Sequence, residues 1–228
     1  MADPVLILAN RNYSSWSLRP WLAARHSGIA FQETVIPLRQ PDTHERILRH
    51  SPSSKLPALR HGNVMIWESL SICEYLAETF PAAHLWPEAM AARARARSDS
   101  TEMLAGFCDL RQHLPMNFRR RYTQASWPPA AQGDIDRIID IWTECRGLFG
   151  GDGPFLFGRF SIADAMYAPV VSRFTTYAVP LPKPAQTFSD AMWSLPAMAE
   201  WMSASKAEPW TIDEYEKAPA SLPPAKPI

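Results

Sequence analysis

The pattern of the sequence changes near residue 85, and this change limits the folds open to the chain. Before it, short apolar runs alternate with helical spacings, whereas beyond it we find no strand-like alternation. The first pattern predicts a small α/β unit and the second predicts a bundle of helices. At 228 residues the chain is also long for one domain and short for three. We therefore expect two domains, 1–82 and 91–228, joined by a linker at 83–90.

The first 82 residues predict the element order βαβ-ββα. The apolar run Val5 to Ala9 is typical of a strand buried on both faces of a sheet. A helix follows, with Ser17 as the best N-cap candidate, and Phe31 to Ile36 forms the next strand, so these two strands pair in parallel. Two further apolar runs flank His61 to Asn63 and predict a hairpin. A last helix opens at Ser69, which we expect to be its cap.

The remainder predicts an all-α domain. Apolar residues recur at helical spacing in four segments: 89–113, 134–149, 162–177 and 197–205. Prolines at 127–129 and 180–184 cannot continue a helix and indicate loops. Ser161 and Asp164 match a capping box at the start of the third segment, and we interpret this motif as structural.

Bulk composition disfavours several classes of function. Lys plus Arg and Asp plus Glu number 23 each, so no net field attracts nucleic acid or an anionic membrane. The three cysteines form no disulfide framework and, with the histidines, no metal-binding spacing. No signal-peptide pattern, run of 18 apolar residues, or motif of a hydrolase, metalloprotease or nucleotide binder is found. We expect a cytoplasmic protein with a small-molecule partner and no metal.

A serine cluster precedes the first helix. A helix N-terminus offers free N–H groups and a partial positive charge, and an adjacent hydroxyl can donate to a thiolate. One such hydrogen bond, of roughly 1.5 to 3 kcal/mol, lowers a thiol pKa of about 8.5 by about 1 to 2 units. Serines before a helix often only cap it, as we expect for Ser17. Ser14 and Ser15 lie ahead of that cap, so capping does not account for them.

Two other sites carry polar groups at element boundaries. The Leu56-Pro57 bond enters a strand, which favours a cis peptide and leaves backbone groups exposed at a sheet edge; alone, an edge proline is ordinary. Glu68 precedes Ser69 at a helix start, where its carboxylate can face an ammonium group; alone, this is a plain helix start.

Together, the order and spacing of these motifs resemble the cytosolic glutathione transferases, in particular the serine-type members nearest the zeta class, also called maleylacetoacetate isomerases. The resemblance runs from about Val5 to Ser205. It implies a thioredoxin-like N-terminal domain joined to an all-helical C-terminal domain, known as the GST fold. It also implies glutathione as co-substrate, a homodimer and a role in detoxification.

The resemblance implies roles for particular residues. Ser14 to Arg19 matches the family's Ser-Ser-x-Ser-x-Arg stretch, in which a serine supports the glutathione thiolate. Ser14 is the first candidate and Ser15 the second.

The peptide part of glutathione is assigned to two further segments. Leu56, before the cis proline Pro57, resembles the residue that exchanges backbone hydrogen bonds with the cysteinyl part, with Lys55 near the glycyl end. Glu68 and Ser69 resemble the pair that holds the γ-glutamyl group.

Two departures from the zeta pattern concern the second substrate. Trp16 replaces a cysteine after the serine pair, and Thr176 stands where zeta members place a carboxylate-binding arginine, with Arg173 about one turn earlier. Aromatic residues at helical spacing suggest an apolar acceptor pocket, although such residues are often core. The predicted acceptor residues are Trp16, Phe107, Tyr122, Arg173 and Tyr177.

Three hypotheses follow. The first is conjugation of glutathione to a small electrophile, with the bound thiolate as nucleophile. The second is glutathione-dependent cis/trans isomerisation of a dicarboxylic acid, with Arg173 binding a carboxylate. The third is a non-catalytic binding or regulatory protein that shares the fold.

Overall fold

A computed structural model describes residues 3–122, 126–216 and 226–227 of the chain. The N-terminal part contains a four-stranded sheet in the order β2-β1-β3-β4. Its elements in chain order are β1 (Val5–Leu8), α1 (Ser15–His26), β2 (Gln32–Val35), α2 (Thr43–Leu48), β3 (Ala58–His61), β4 (Val64–Trp67) and α3 (Ser69–Thr79). β1 pairs in parallel with β2 and antiparallel with β3, and β3 and β4 form the hairpin. The predicted thioredoxin-like order βαβ-ββα is confirmed.

The two faces of β1 contact different helices because side chains alternate along a strand. Leu6 and Leu8 belong to the main apolar core, which includes residues of α1 and α3. Ile7 faces the other way, into a small cluster with Ile47 of α2. α1 and α3 therefore cover one face of β1, and α2 covers the other.

A 3₁₀ turn at Pro81–Ala83 leads into the helical part. Its elements are α4 (Met90–Ala105), α5 (Cys108–His113), β5 (Arg120–Arg121), α6 (Pro129–Phe149), α7 (Ile162–Thr176), α8 (Lys183–Trp193), α9 (Pro196–Ala207), α10 (Asp213–Glu216) and β6 (Lys226–Pro227). None of the helices among these residues is long and apolar enough to cross a membrane. The positions 123–125, 217–225 and 228 of the predicted second domain lie outside the described residues.

Three details of this part differ from the predictions. The single helix expected over 89–113 is broken after Ala105, because Phe107 adopts the left-handed conformation with φ 60°. The prolines at 127–129 and 180–184 do not exclude a helix: α6 begins at Pro129, and α8 begins at Lys183 with Pro184 in its first turn, where a missing N–H removes no hydrogen bond. β5 and β6 pair antiparallel, so the domain is not purely helical.

α7 is the central helix, since all of its residues except Thr175 are buried. Asp164 fixes its start: its Oδ1 accepts from the Leu156 N–H at 2.9 Å, and its Oδ2 accepts from the Ser161 N–H and hydroxyl at 2.7 and 2.9 Å. The predicted capping box is confirmed. α7 packs against α1 and α4, so the helix that carries Arg173 is held against the N-terminal part.

Candidate functional site

A cavity of about 540 Å³ lies between the two parts of the chain. Residues between positions 9 and 68 form one wall, and residues between positions 111 and 215 form the other. The cavity brings together most of the predicted site residues, namely Ser14, Ser15, Trp16, Lys55, Leu56, Pro57, Glu68 and Arg173.

The serine cluster caps α1 in a different way from the one expected. α1 begins at Ser15, and Ser14 is its N-cap, so the prediction that Ser17 is the cap is wrong. The Ser14 hydroxyl accepts from the Ser17 N–H at 3.3 Å and donates to Ser17 Oγ at 2.9 Å, while Ser17 Oγ accepts from the Ala9 N–H at 2.9 Å. The chain turns early because the Ser14 N–H donates to Asn10 O.

Ser14 and Ser15 therefore differ in their hydroxyl partners. Both are nearly buried, 6% and 5% exposed, and both line the cavity. The Ser14 hydroxyl is engaged within the cap. The Ser15 hydroxyl forms no hydrogen bond to any residue in the described part of the chain.

A carboxylate from the far end of the sequence fixes the loop that precedes Ser14. Glu208, just after α9, accepts from the Arg11 N–H at 2.7 Å and from the Asn12 N–H at 3.2 Å. Burial raises the pKa of Glu208, although these two donors oppose the shift. The sequence contains no local signal for this contact, because its partners are almost 200 residues apart.

The Leu56-Pro57 peptide bond is cis, as predicted. Leu56 lines the cavity, and its backbone N–H and C=O make no hydrogen bond to another described residue. Lys55 lies beside it and is exposed. An extended peptide can thus pair with Leu56 at the entrance to β3.

Glu68 lies ahead of α3 with φ 69°, a left-handed conformation that is uncommon for a residue with a side chain. It is exposed and lines the cavity. Ser69 is the first residue of α3 and not its cap, which corrects the prediction. The Ser69 hydroxyl is fully buried, has no hydrogen-bond partner among the described residues and does not line the cavity. Backbone strain of this kind clusters at functional sites.

The opposite wall contains two arginines. Arg111 of α5 and Arg173 of α7 line the cavity together with Tyr215 of α10. Arg111 also lies over the Trp16 ring, with 4.7 Å between its Cζ and the ring centroid. Arg111 and Tyr215 were not predicted, because nothing in their local sequence distinguishes them from other helix residues.

Three predicted acceptor residues do not line the cavity: Phe107, Tyr122 and Tyr177. Tyr122 and Tyr177 stack on each other with centroids 5.2 Å apart, and the Tyr177 hydroxyl donates to Pro115 O at 3.1 Å. Phe107 belongs to the main core. Helical spacing identified these three residues as inward-facing, but they face the protein interior and not the cavity.

Metal ligands are not grouped in this region. Among the residues that the structure describes, no cluster of three or more His, Cys, Asp or Glu side chains is arranged to hold a metal ion.

Two family models match the chain. The model for the N-terminal domain of glutathione S-transferases covers residues 13–79, and the model for the C-terminal domain covers residues 91–204. A glutathione transferase homolog from Burkholderia, solved with bound glutathione, superposes with a TM-score of 0.69 at 20% identity, covering 91% of this chain and 100% of that chain. At this identity the superposition shows a shared fold.

Curated relatives agree with this result. Glutathione S-transferase L3 of Arabidopsis thaliana is 27% identical over 69% of this chain and 62% of its own length. Maleylacetoacetate isomerase of Rattus norvegicus is 29% identical over 78% of this chain and 81% of its own length. The chain thus spans less than two thirds of the plant relative. The matched domains, which together cover most of the sequence, confirm the predicted family: the chain belongs to the glutathione S-transferase family.

Proposed function

We propose that the chain is a glutathione transferase that binds glutathione in the cavity, holds its thiolate with a serine hydroxyl and conjugates it to a small electrophile. The observation that carries this proposal is the composition of one cavity wall. There, two serine hydroxyls at the start of α1, the unpaired backbone of Leu56 and the Glu68 carboxylate share one cavity. Glutathione offers a matching thiol, peptide backbone and ammonium group.

Ser14 is the proposed thiolate donor. A hydroxyl both donates and accepts, so the Ser14–Ser17 bond can reverse: Ser17 then donates to Ser14 Oγ, still accepting from the Ala9 N–H, and Ser14 donates to the sulfur. This exchange adds a charge-assisted hydrogen bond, which is roughly twice as strong as a neutral one. Ser15 adds a second hydroxyl at the same helix terminus.

The peptide groups extend from this point. We assign the cysteinyl backbone of glutathione to Leu56, its glycyl carboxylate to Lys55 and its γ-glutamyl ammonium to Glu68. The γ-glutamyl carboxylate would bind the free N–H groups at the start of α3, where Ser69 lies. These contacts orient the sulfur toward Ser14.

In the proposed reaction, the thiol proton leaves to solvent and the serine-bound thiolate attacks the electrophilic carbon. A C–S bond forms, and the leaving group departs with the bonding electron pair. The protein contributes orientation and thiolate stabilisation, and glutathione supplies the nucleophile.

Substitutions at Ser14 test the mechanism. Ser14→Ala should lower kcat/KM for a chloronitrobenzene by about 10- to 100-fold, the equivalent of one charge-assisted hydrogen bond. The thiol pKa of bound glutathione, read from thiolate absorbance, should rise. Ser14→Thr keeps both the N-cap oxygen and the hydroxyl and is the matched control, expected to retain most activity. An unchanged rate in Ser14→Ala would exclude Ser14, and a lack of glutathione binding by calorimetry would exclude the function.

Cis/trans isomerisation of a dicarboxylic acid is a second candidate. The observation that favours it is the presence of Arg173 in the cavity, and one relative carries the name maleylacetoacetate isomerase. Glutathione-dependent isomerisation of such an acid, lost in Arg173→Gln, would support it. Thr176 is buried and its hydroxyl donates to Asn117 O, so it offers no carboxylate contact in place of an arginine.

Three further features are proposed: the domain boundaries, the cellular location and the oligomeric state. We propose a glutathione-binding domain at 1–82, a linker at 83–90 and an acceptor-binding domain at 91–228, in a cytoplasmic homodimer. Analytical ultracentrifugation tests the dimer, and a monomer across the micromolar range would contradict it.

A further inference from the structure

Two arginines lie over the Trp16 ring, and a third lies near them. The Cζ atoms of Arg19 and Arg111 are 4.4 and 4.7 Å from its centroid. Arg173 lies near both. The charge of Arg111 lowers the pKa of Arg173, and the charge of Arg173 lowers the pKa of Arg19. We call Arg19, Arg111 and Arg173 the arginine cluster. No ion pair among the described residues includes any of the three.

Backbone carbonyls hold all three guanidinium groups through Nε, and Nη2 of Arg111 donates to a second carbonyl, Met103 O. The Nε atoms of Arg19, Arg111 and Arg173 donate to Met166 O, Gly106 O and Leu114 O at 3.1, 3.1 and 2.9 Å. Each group also has a buried Nη atom with no hydrogen-bond partner among the described residues. Unpaired buried donors of this kind are uncommon and indicate a missing partner.

Among the residues that the structure describes, no acid forms an ion pair that balances the charge of the cluster. Asp134 is an acid close enough to affect Arg111, but its Oδ2 accepts from the Leu110 N–H at 2.8 Å. Burial, followed by the charge of Arg111, lowers the pKa of Arg173 to about 9, so the group remains positive at pH 7. Buried like charges without a counter-ion favour the binding of an anion.

Two members of the cluster reach the cavity. Arg111 and Arg173 line it, whereas Arg19 is fully buried behind Trp16. Trp16 also lines the cavity and follows Ser14 and Ser15 directly, so the two arginines lie at the end of the cavity where the thiolate would be held. Pro115 and Met116 supply apolar contacts beside them.

We infer that Arg111 and Arg173 form a carboxylate subsite, and that the preferred acceptor of this enzyme is an aromatic or apolar electrophile that carries a carboxylate. The carboxylate binds between the two guanidinium groups, and the apolar body of the substrate lies against Trp16. This inference rests on the proposed function, because it names the substrate class of that site.

A matched pair of electrophiles tests it. In 4-chloro-3,5-dinitrobenzoate and 4-chloro-3,5-dinitrobenzamide the same carbon is attacked: sulfur forms the C–S bond and chloride leaves with the electron pair. After division by the uncatalysed rates, wild-type kcat/KM should favour the benzoate by about 10- to 100-fold. Arg173→Gln and Arg111→Gln should each remove at least half of this preference on a logarithmic scale. Arg137→Gln, an exposed arginine paired with Glu102, is the matched control and should leave the preference unchanged.

Glutathione also carries carboxylates, so the carboxylate that binds the two arginines can belong to glutathione or to the acceptor. The affinity for glutathione distinguishes these two ligands. Calorimetry with glutathione should give the same affinity in wild type and Arg173→Gln. If the affinity falls and the benzoate preference does not, the arginines bind glutathione itself and the inference is overturned. Equal turnover of benzoate and benzamide by the wild type overturns it without any variant, so a substitution that fails to fold leaves the test intact.

Failure of the proposed function is distinguishable from failure of this inference. If neither electrophile is conjugated, calorimetry with 3,5-dinitrobenzoate and 3,5-dinitrobenzamide, which lack a leaving group, still tests the subsite. Tighter binding of the benzoate, lost in Arg173→Gln, supports it. Equal binding of the two compounds overturns it.

Discussion

One wall of the cavity consists of groups set by the local backbone, whereas the opposite wall consists of long side chains brought together by packing. On the first wall, the start of α1, the residue before a proline and the residue before α3 are shaped mainly by a few consecutive positions, and the Glu208 contact to the loop before Ser14 is the long-range exception. On the second, Arg111, Arg173 and Tyr215 come from three different helices. On the proposed assignment of the two walls, we expect substitution on the second wall to change acceptor preference while glutathione binding is preserved. Substitutions on the first wall and in the capping box of α7 test this separation.

Asp164→Ala should give the largest effect, and it should be on stability alone. It leaves the N–H groups of Leu156 and Ser161 without their buried acceptor, so we expect a loss of about 3 to 5 kcal/mol in the free energy of unfolding. Urea denaturation measures this loss.

The control for Asp164→Ala is Asp140→Ala, an exposed position on α6 that should stay within about 0.5 kcal/mol of wild type. At temperatures where Asp164→Ala remains folded, its glutathione affinity should equal that of wild type. A large loss of affinity in the folded variant would contradict the separation of the two walls.

Glu68→Gln should give a smaller effect, limited to the first wall. Loss of the carboxylate that we assign to the ammonium group should weaken glutathione binding by about 5- to 10-fold, measured by calorimetry. The ratio of benzoate to benzamide turnover should not change. Glu78→Gln, exposed and near the end of α3, is the matched control. A changed acceptor ratio in Glu68→Gln would show that the two walls are coupled.

Lys55→Gln should give the smallest effect. Lys55 is exposed, and exposed ion pairs contribute about 0 to 1 kcal/mol, so glutathione should bind about two- to threefold more weakly. Because salt screens exposed charges, the difference from wild type should disappear near 1 M salt. Lys183→Gln is the control. A tenfold or salt-independent loss would mean that Lys55 makes a more buried contact than the one assigned.

The same contrast explains how far the sequence could predict the molecule. The element order, the cis Leu56-Pro57 bond and the Asp164 capping box followed from local patterns, and the structure confirmed them. The identity of the α1 cap did not, because Ser14, Ser15 and Ser17 are chemically equivalent candidates and the turn at Asn10 decided between them.

The acceptor wall was predicted least well. Helical spacing shows that a side chain faces inward but does not separate a core contact from a cavity contact. Helical spacing therefore predicts Tyr122 and Tyr177 as pocket residues, although they stack on each other. Helical spacing did not identify Arg111, because its position over Trp16 depends on the interruption of the helix near Phe107, which separates α5 from α4.

The Glu208 contact has a consequence for biosynthesis. A ribosome releases the N-terminal residues first, and domains generally fold in that order. The N–H groups of Arg11 and Asn12 nevertheless find their acceptor 197 and 196 positions later. A nascent chain can therefore form the sheet early, but the loop before Ser14 reaches its final geometry only after Glu208 has left the ribosome.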